Sequence, residues 1–368
     1  KDPSIDYVVM NEGEETTNEL LRAIEAGNDL SEIDGIAYMA SGIIQVNRRR
    51  KRIKDLDSIP APIRSRQLLR HNRISHMFPS ISDQRGVAQV MYSRGCTHKC
   101  TYCTAPNMWN RKVVWRDPNK VVAEIKELQA RFGTNTVFFP DLTFNINKDK
   151  AEELCDSITE SKLDFYWYAM ARADNMSPEL LKKMHLAGCR KIGYGFDTPS
   201  QSANIDYGRK AADIEDFKSV LKLGHDLGII NKAYLIIGHP KHETHESIRR
   251  LTEEVISLAS FGLHEIGLSI LTPYPGTEEY QSLKETGQII SDDWSRYSSD
   301  DVVLRLMYLS SEELIEARNR VFNRFYNSEE YTHMMDERIK MFPQYELSFR
   351  EYKDYLMRNS GGKVRIRR

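Results

Sequence analysis

The sequence has only five cysteines in 368 residues, and three of them fall between positions 96 and 103. A secreted protein held by disulfides spreads its cysteines along the chain, so this distribution excludes a disulfide framework. Clustered thiols instead indicate a metal site in a reducing compartment. We therefore expect a cytoplasmic protein.

Long apolar runs and an excess of one charge are missing as well. No stretch approaches the ~18 apolar residues of a membrane span, and no signal-peptide pattern opens the chain. Lysine and arginine number 52 against 53 acidic residues, a formal net charge of −1. Neither a membrane nor a nucleic acid is therefore expected as partner. The basic run Arg48–Arg52 could hold an acidic partner or RNA, but a solvated connector is the preferred interpretation.

Between Gly86 and about Leu283, short apolar segments alternate with amphipathic ones. The predicted strands are Val87–Tyr92, Thr136–Phe139, Phe165–Met170, Lys191–Phe196, Ala233–Ile237 and Glu265–Ile270. The predicted helices are Lys120–Phe132, Lys148–Ser161, Pro178–Ala187 with Ser177 as cap, Asp213–Leu227 and Glu243–Phe261. Six βα units predict a parallel sheet with its chemistry at the carboxyl ends of the strands. Strand spacing leaves both a doubly wound sheet and a curled barrel possible.

The strongest chemical signal follows the first predicted strand and reads Cys96-Thr97-His98-Lys99-Cys100-Thr101-Tyr102-Cys103. Iron–sulfur clusters normally take four cysteines, so three local thiolates leave one iron open. An open position is typical of a catalytic metal site, and the amine and carboxylate of an amino acid could chelate it. The alternative is zinc, with His98, Cys155 or Cys189 as fourth ligand. Cys155 and Cys189 are more typical of small core residues.

This loop, including the aromatic Tyr102 before its last cysteine, resembles the signature of the radical S-adenosylmethionine (SAM) superfamily. The resemblance implies a partial (β/α)6 TIM-like barrel whose Cys96, Cys100 and Cys103 hold a [4Fe–4S] cluster. It also implies that SAM chelates the open iron. One electron then breaks the C5′–S bond and yields methionine and a 5′-deoxyadenosyl radical.

The same resemblance implies further SAM contacts at the ends of the strands. Asp141 is expected to accept from the cofactor's amino group, with a helix-capping role as the alternative. Arg172 is expected at the cofactor's carboxylate, with a surface ion pair as the alternative.

The fourth and fifth predicted strands end in two more family-like stretches. Asp197 and Ser200 lie in a stretch that resembles the family's Gly-x-Glu-Ser motif, with aspartate where glutamate is usual. Ile237 and Gly238 end the strand that resembles the adenine-lining one. His239, Lys241 and His242, which depart from the family pattern, are interpreted as ordinary loop residues.

The flanking segments complete the predicted organisation. Residues 6–16 resemble the last strand and helix of the cobalamin-binding Rossmann-like domain that is fused to many of these enzymes. We therefore predict a remnant of that domain over 1–30, a connector over 31–85, the barrel over 86–290 and a helical region over 291–368. The domain's Asp-x-His-x-x-Gly stretch is absent from the sequence, and we expect the native chain to be longer.

The leading hypothesis is a cobalamin-dependent methyltransferase that acts on an unactivated carbon or phosphorus of a small molecule or natural product. It would need an electron donor such as flavodoxin or ferredoxin. The alternatives are a radical epimerase, cyclase or ring-rearranging enzyme, and a tRNA methylthiotransferase. A scaffold that holds zinc or a cluster is the non-enzymatic alternative.

Overall fold

Six parallel strands form the main sheet, and their order in space follows their order in the chain. The computed structural model describes residues 4–70, 87–208, 213–343 and 346. Its strands are β1 (Tyr7–Val9), β2 (Ile36–Ala40), β3 (Ile43–Val46), β4 (Val87–Gln89), β5 (Ser93–Gly95), β6 (Val113–Trp115), β7 (Thr136–Phe139), β8 (Tyr166–Ala171), β9 (Cys189–Asp197), β10 (Ile230–Ile237) and β11 (Leu263–Ile270).

The order β4-β7-β8-β9-β10-β11 decides between the two architectures that strand spacing left open. A doubly wound sheet reverses its direction of growth at a switch point, and this sheet has none. Every crossover therefore turns the same way, and the sheet curls. The predicted partial barrel is confirmed. Its first strand is shorter than predicted and ends at Gln89.

The helices begin near the predicted residues. They are α1 (Gly13–Ala26), α2 (Arg66–Arg70), α3 (Ala105–Trp109), α4 (Pro118–Phe132), α5 (Lys148–Ser161), α6 (Pro178–Leu186), α7 (Gln201–Asp206), α8 (Ile214–Asp226), α9 (His245–Ala259), α10 (Glu278–Glu285), α11 (Ser311–Tyr326) and α12 (Glu329–Met341). The predicted cap Ser177 is confirmed, since its side chain accepts from the Leu180 amide. Within the described residues, no helix combines the length and apolar character that crossing a bilayer requires.

Side chains alternate across β8 as the pleat of a strand requires. Trp167 is fully buried and donates its indole N–H to the Ala187 carbonyl at the end of α6, 2.7 Å away. Tyr168 lies on the opposite face and stacks on Phe138 with 5.1 Å between ring centroids. One face of the curled sheet therefore packs against the helices. The other faces the interior of the barrel, here called the lumen.

The C-terminal helices cover the edge of the barrel at β11. The Tyr326 hydroxyl accepts from the Ile266 amide at 3.1 Å, and Arg318 donates to the Leu268 carbonyl at 2.8 Å. These bonds occupy backbone groups that an uncovered edge strand would expose to pairing with another chain. The predicted helical character is confirmed over Ser311–Met341, and the region protects the barrel.

The N-terminal residues form a small antiparallel sheet, in which β2 pairs with both β1 and β3. The predicted boundary at residue 30 falls inside this unit, because the segment predicted as a connector contributes β2 and β3. Residues 71–86 and those after 346 lie outside the described chain. The origin of the unit as a remnant of a Rossmann-like domain stays a prediction.

The interpretation of the basic run Arg48–Arg52 as a solvated connector holds for part of the run, because Arg48, Arg49 and Lys51 are exposed whereas Arg50 and Arg52 are half-buried. Glu12 is buried and accepts from Arg52, Arg94 and the Ile53 amide. Arg49 donates to carbonyls in α3, and Arg52 donates to Trp109, Lys112 and Arg94. A buried carboxylate is tolerated only when it is paired and hydrogen-bonded, and these arginines meet that demand. They fix the N-terminal unit to the hairpin β5–β6 and to α3.

We expect Gly95→Ala to destabilise the protein strongly. Gly95 has φ of 115°, and an added Cβ would overlap the carbonyl of Lys112, the residue just before the paired strand β6. Backbone strain and overpacking together should cost roughly 3 kcal/mol. Gly133→Ala is the matched control, because its φ is 70° and nothing lies within 4 Å of the added Cβ. It should cost about 1 kcal/mol. Urea denaturation measures both, and equal losses would contradict the role assigned to Lys112.

Candidate active site

The three clustered cysteines lie in the segment between β5 and α3. Cys96 and Cys100 are buried, Cys103 is half-buried, and all three are free thiols. Burial raises the pKa of the Cys103 thiol, and the neighbouring Cys100 and Cys96 add to that rise by charge repulsion. The three thiols are therefore near enough to interact electrostatically.

Among the described residues, no three histidine, cysteine or acidic side chains converge closely enough for a single metal ion. A cubane cluster does not require its ligands to converge on one ion, because each of its irons takes a separate thiolate. Three free thiols from one loop, two buried and one half-buried, match that donor set.

Hydrogen bonds from distant elements fix the backbone of the cysteine loop. The Cys103 amide donates to the Cys100 carbonyl at 3.1 Å, which closes a turn between these two cysteines. The Thr101 amide donates to the Tyr207 carbonyl after α7, at 3.2 Å. The Thr101 carbonyl accepts from the Glu279 amide in α10, at 3.1 Å. The loop is therefore held from the regions that follow β9 and β11.

Tyr102 and Asp197, both predicted site residues, lie together. The Tyr102 hydroxyl donates to the Asp197 carboxylate at 2.5 Å. Asp197 ends β9 with φ of 62°, a left-handed conformation that is uncommon outside glycine. Strained residues of this kind concentrate at functional sites. Here the conformation accompanies a direct contact between the end of β9 and the cysteine loop.

Asp141 holds the chain just before the cysteine loop. Its carboxylate accepts from the Tyr92 amide at 3.2 Å and from the Ser93 amide and hydroxyl at 2.5 Å each. Burial raises its pKa to about 6, although these hydrogen bonds oppose the shift. The residue caps no described helix, so the helix-capping alternative is wrong. Its contact with the amino group of a cofactor stays a prediction.

Arg172 follows β8 and forms a buried pair. Its Nε and Nη2 donate to the two carboxylate oxygens of Asp174 at 2.8 and 2.6 Å. Its backbone amide donates to the Asn145 side chain at 2.9 Å. The alternative predicted an ion pair at the surface. The ion pair exists, but it does not lie at the surface, because both side chains are largely buried. A contact of Arg172 with a cofactor carboxylate stays a prediction.

The remaining predicted residues lie at the ends of β9 and β10. Ser200 caps α7, since its hydroxyl accepts from the Ala203 amide at 3.3 Å. Ile237 is buried as the last residue of β10. Gly238 has φ of 88°, and its amide donates to the buried Glu243 carboxylate at 2.7 Å. These contacts are structural, and a role of the three residues at a cofactor is untested.

Some buried polar atoms near the loop have no hydrogen-bond partner within the part of the chain that the structure describes. Two of them are the Thr101 hydroxyl and Nδ1 of His239. Burial lowers the pKa of His239 to about 4, so its ring is neutral. A cavity of about 800 Å³ lies beside it and is also lined by Thr198 and Ser200. Sequence reasoning treated His239 as an ordinary loop residue and gave Thr101 no role. Unsatisfied buried groups beside three thiols fit a bound cofactor.

Comparison with known proteins agrees with this arrangement. Residues 90–255 match the model of the radical SAM superfamily. An uncharacterized methyltransferase of Pyrococcus horikoshii, PH0819, is 27% identical over 325 residues, which are 88% of this chain and 68% of that protein. The anaerobic magnesium-protoporphyrin IX monomethyl ester cyclase of Cereibacter sphaeroides is 25% identical over 334 residues, 88% of this chain and 52% of that protein.

A solved structure shares the fold. The chain matches TsrM, a radical SAM methyltransferase of Kitasatospora setae with cobalamin and a [4Fe–4S] cluster bound, with a TM-score of 0.65. The identity is 19%, and the match covers 82% of this chain and 60% of that chain. The chain thus spans between half and about two thirds of the length of these proteins.

The matched residues 90–255 contain the cysteine loop and the four barrel strands β7 to β10. The loop, the sequential parallel barrel and this match agree, and residues 90–255 of the chain are similar to the radical SAM superfamily.

Proposed function

We propose that the chain forms the catalytic barrel of a cobalamin-dependent radical SAM methyltransferase. The observation that carries this proposal is the loop with three free thiols beside the carboxyl end of a six-stranded parallel barrel. In parallel α/β sheets, that edge is where ligands bind and chemistry occurs.

Cys96, Cys100 and Cys103 would hold the [4Fe–4S] cluster. When bound, the cluster supplies one electron to SAM, whose C5′–S bond breaks to give methionine and a 5′-deoxyadenosyl radical. The chain's own residues fix the loop, and burial limits the access of water to Cys96 and Cys100. The Thr101 hydroxyl and His239 Nδ1 are available for hydrogen bonds to SAM.

Methyl transfer is supported by the methyltransferase name of the Pyrococcus relative and by the fold shared with TsrM. The acceptor would be a carbon or phosphorus of a small molecule, and a one-electron donor is required. The relative named as a cyclase favours a second candidate, radical chemistry without methyl transfer. Under that candidate, hydrogen abstraction is followed by ring closure or rearrangement of the substrate.

Replacing Cys96, Cys100 or Cys103 with alanine should abolish cluster binding. Each supplies a thiolate to a different iron, and no neighbouring cysteine can replace it. Anaerobic reconstitution should give about four irons per chain in the parent protein, with visible absorption that the three variants lack. Iron and sulfide analysis measures this.

Cys155→Ala and Cys189→Ala are the matched controls for that experiment. Both thiols are fully buried in the core, and burial raises both of their pKa values, which disfavours the metal-binding thiolate. Both variants should keep the cluster. Loss of iron in either variant, or zinc in place of iron in the parent protein, would contradict the assignment of the three clustered cysteines as ligands of an iron–sulfur cluster.

The products of SAM distinguish the two candidate functions. A methyltransferase consumes one SAM for the radical and a second to renew methylcobalamin, so 5′-deoxyadenosine and S-adenosylhomocysteine should form in about equal amounts. The assay combines a cobalamin-binding, N-terminally extended chain, methylcobalamin, a strong reductant and small molecules from a cell extract. Formation of 5′-deoxyadenosine without S-adenosylhomocysteine would favour radical chemistry without methyl transfer.

Cobalamin titration tests where the corrin is held. We expect an N-terminally extended chain to bind methylcobalamin and the 368-residue chain to bind it weakly. A Rossmann-like domain holds its ligand at the ends of several parallel strands, whereas β1 pairs only with the antiparallel β2 among the described residues. Both chains should form 5′-deoxyadenosine. Tight binding by the 368-residue chain would place the corrin site elsewhere.

A further inference from the structure

The lumen of the barrel is accessible and carries charge. Along β10, the inward-facing residues Lys232, Tyr234 and Ile236 are half-buried, whereas the residues between them are buried under the helices. Gly267 and Ser269 of β11 are half-buried in the same alternating way. The lumen therefore keeps some accessible surface along β10 and β11.

Three ionisable side chains lie toward the amino-terminal ends of the lumen strands. Lys191 of β9 forms a buried ion pair with Glu265 of β11, with 2.7 Å between nitrogen and oxygen. Lys232 of β10 lies 3.9 Å from the same carboxylate, too far for a hydrogen bond. Two lysine side chains thus share one carboxylate.

The Lys232 ammonium lacks a hydrogen-bond partner among the described residues. The side chain is 12% exposed, and its ammonium lies 4.8 Å from the centroid of the Tyr234 ring. Burial lowers the pKa of Lys232, and the Glu265 charge opposes this shift. A buried ammonium without hydrogen bonds is costly, and a bound anion would remove that cost.

Aromatic rings form the wall beside this ammonium. The hydroxyls of Tyr168 and Tyr234 are 3.0 Å apart, and Phe138 stacks on Tyr168. Gly193 makes room for both tyrosines, because an added Cβ would lie 2.5 Å from the Tyr168 hydroxyl and 2.7 Å from the Tyr234 ring. The neighbouring wall therefore suits an apolar or aromatic body attached to the anion.

We propose that Lys232 binds an acidic group of the substrate, a carboxylate or a phosphonate-like anion, in the lumen below the cysteine loop. The proposal rests on the proposed function, since it assigns the lumen to the substrate. Lys232 is five residues before Ile237, a distance of about 17 Å along the strand. The acidic group of the substrate therefore binds far from the substrate atom that reacts with the radical.

Calorimetric titration of phenylphosphonate tests this assignment on the 368-residue protein. The probe joins an aromatic ring to an anion, and benzyl alcohol is its uncharged counterpart. Phenylphosphonate should bind saturably and benzyl alcohol at least tenfold more weakly. Lys232→Met should weaken phenylphosphonate at least tenfold, because a charge-assisted hydrogen bond is lost. Lys232→Arg should stay within a few-fold of the parent.

Lys222→Met is the matched control, since Lys222 is an exposed lysine of α8 paired with Asp226. It should leave binding unchanged. Circular dichroism checks folding, and Lys232→Gln replaces the methionine variant if that one is misfolded. Unchanged affinity in the folded neutral variant, equal binding of benzyl alcohol, or no binding of phenylphosphonate would each overturn the proposal. Binding of phenylphosphonate does not depend on SAM turnover, so it can be interpreted even if the methyl-transfer assay fails.

Discussion

The sequential order of the six parallel strands is the constraint on which the rest of the structure depends. It places the carboxyl ends of all the strands at one edge, and the pleat then assigns each side chain to the lumen or to the helices. On β10, Lys232 faces the lumen, Leu235 packs under the helices, and Gly238 follows at the carboxyl edge. A shift of one residue in register would move Lys232 into the apolar layer, so burial of the helix-facing side fixes the lumen as well.

The cysteine loop depends on that edge because its own residues cannot order it. Loop residues lose conformational entropy when they are fixed, about 1–2 kcal/mol each, so contacts from outside must offset this cost. Asp141 holds Ser93 before the loop, the Tyr207 and Glu279 backbones hold Thr101 within it, and Asp197 holds Tyr102. The backbone of the loop is therefore held by the surrounding elements, as a rigid binding site requires.

Sequence reasoning located the strands and the cysteines but not the partners of the charged residues. Apolar alternation and a fixed cysteine spacing are local signals. The pairing of Asp141 with Ser93, or of Arg172 with Asp174, depends on how the chain folds at the strand ends. Lys232 was missed for a further reason. The strand was predicted to start at Ala233, whereas β10 begins at Ile230, so Lys232 fell outside the predicted strand. Charge at alternate positions of an apolar strand was the available signal.

The separation of the two ends of the lumen has an electrostatic consequence. At an effective dielectric constant of 20, two unit charges about 17 Å apart interact by about 1 kcal/mol. The cysteine loop lies beyond the end of β10, so the charge at Lys232 perturbs it by no more than this. A charge-assisted hydrogen bond at Lys232 contributes roughly 1.5–3 kcal/mol. The barrel can therefore hold an anionic substrate firmly at one end while the redox chemistry at the other end stays nearly independent of that charge.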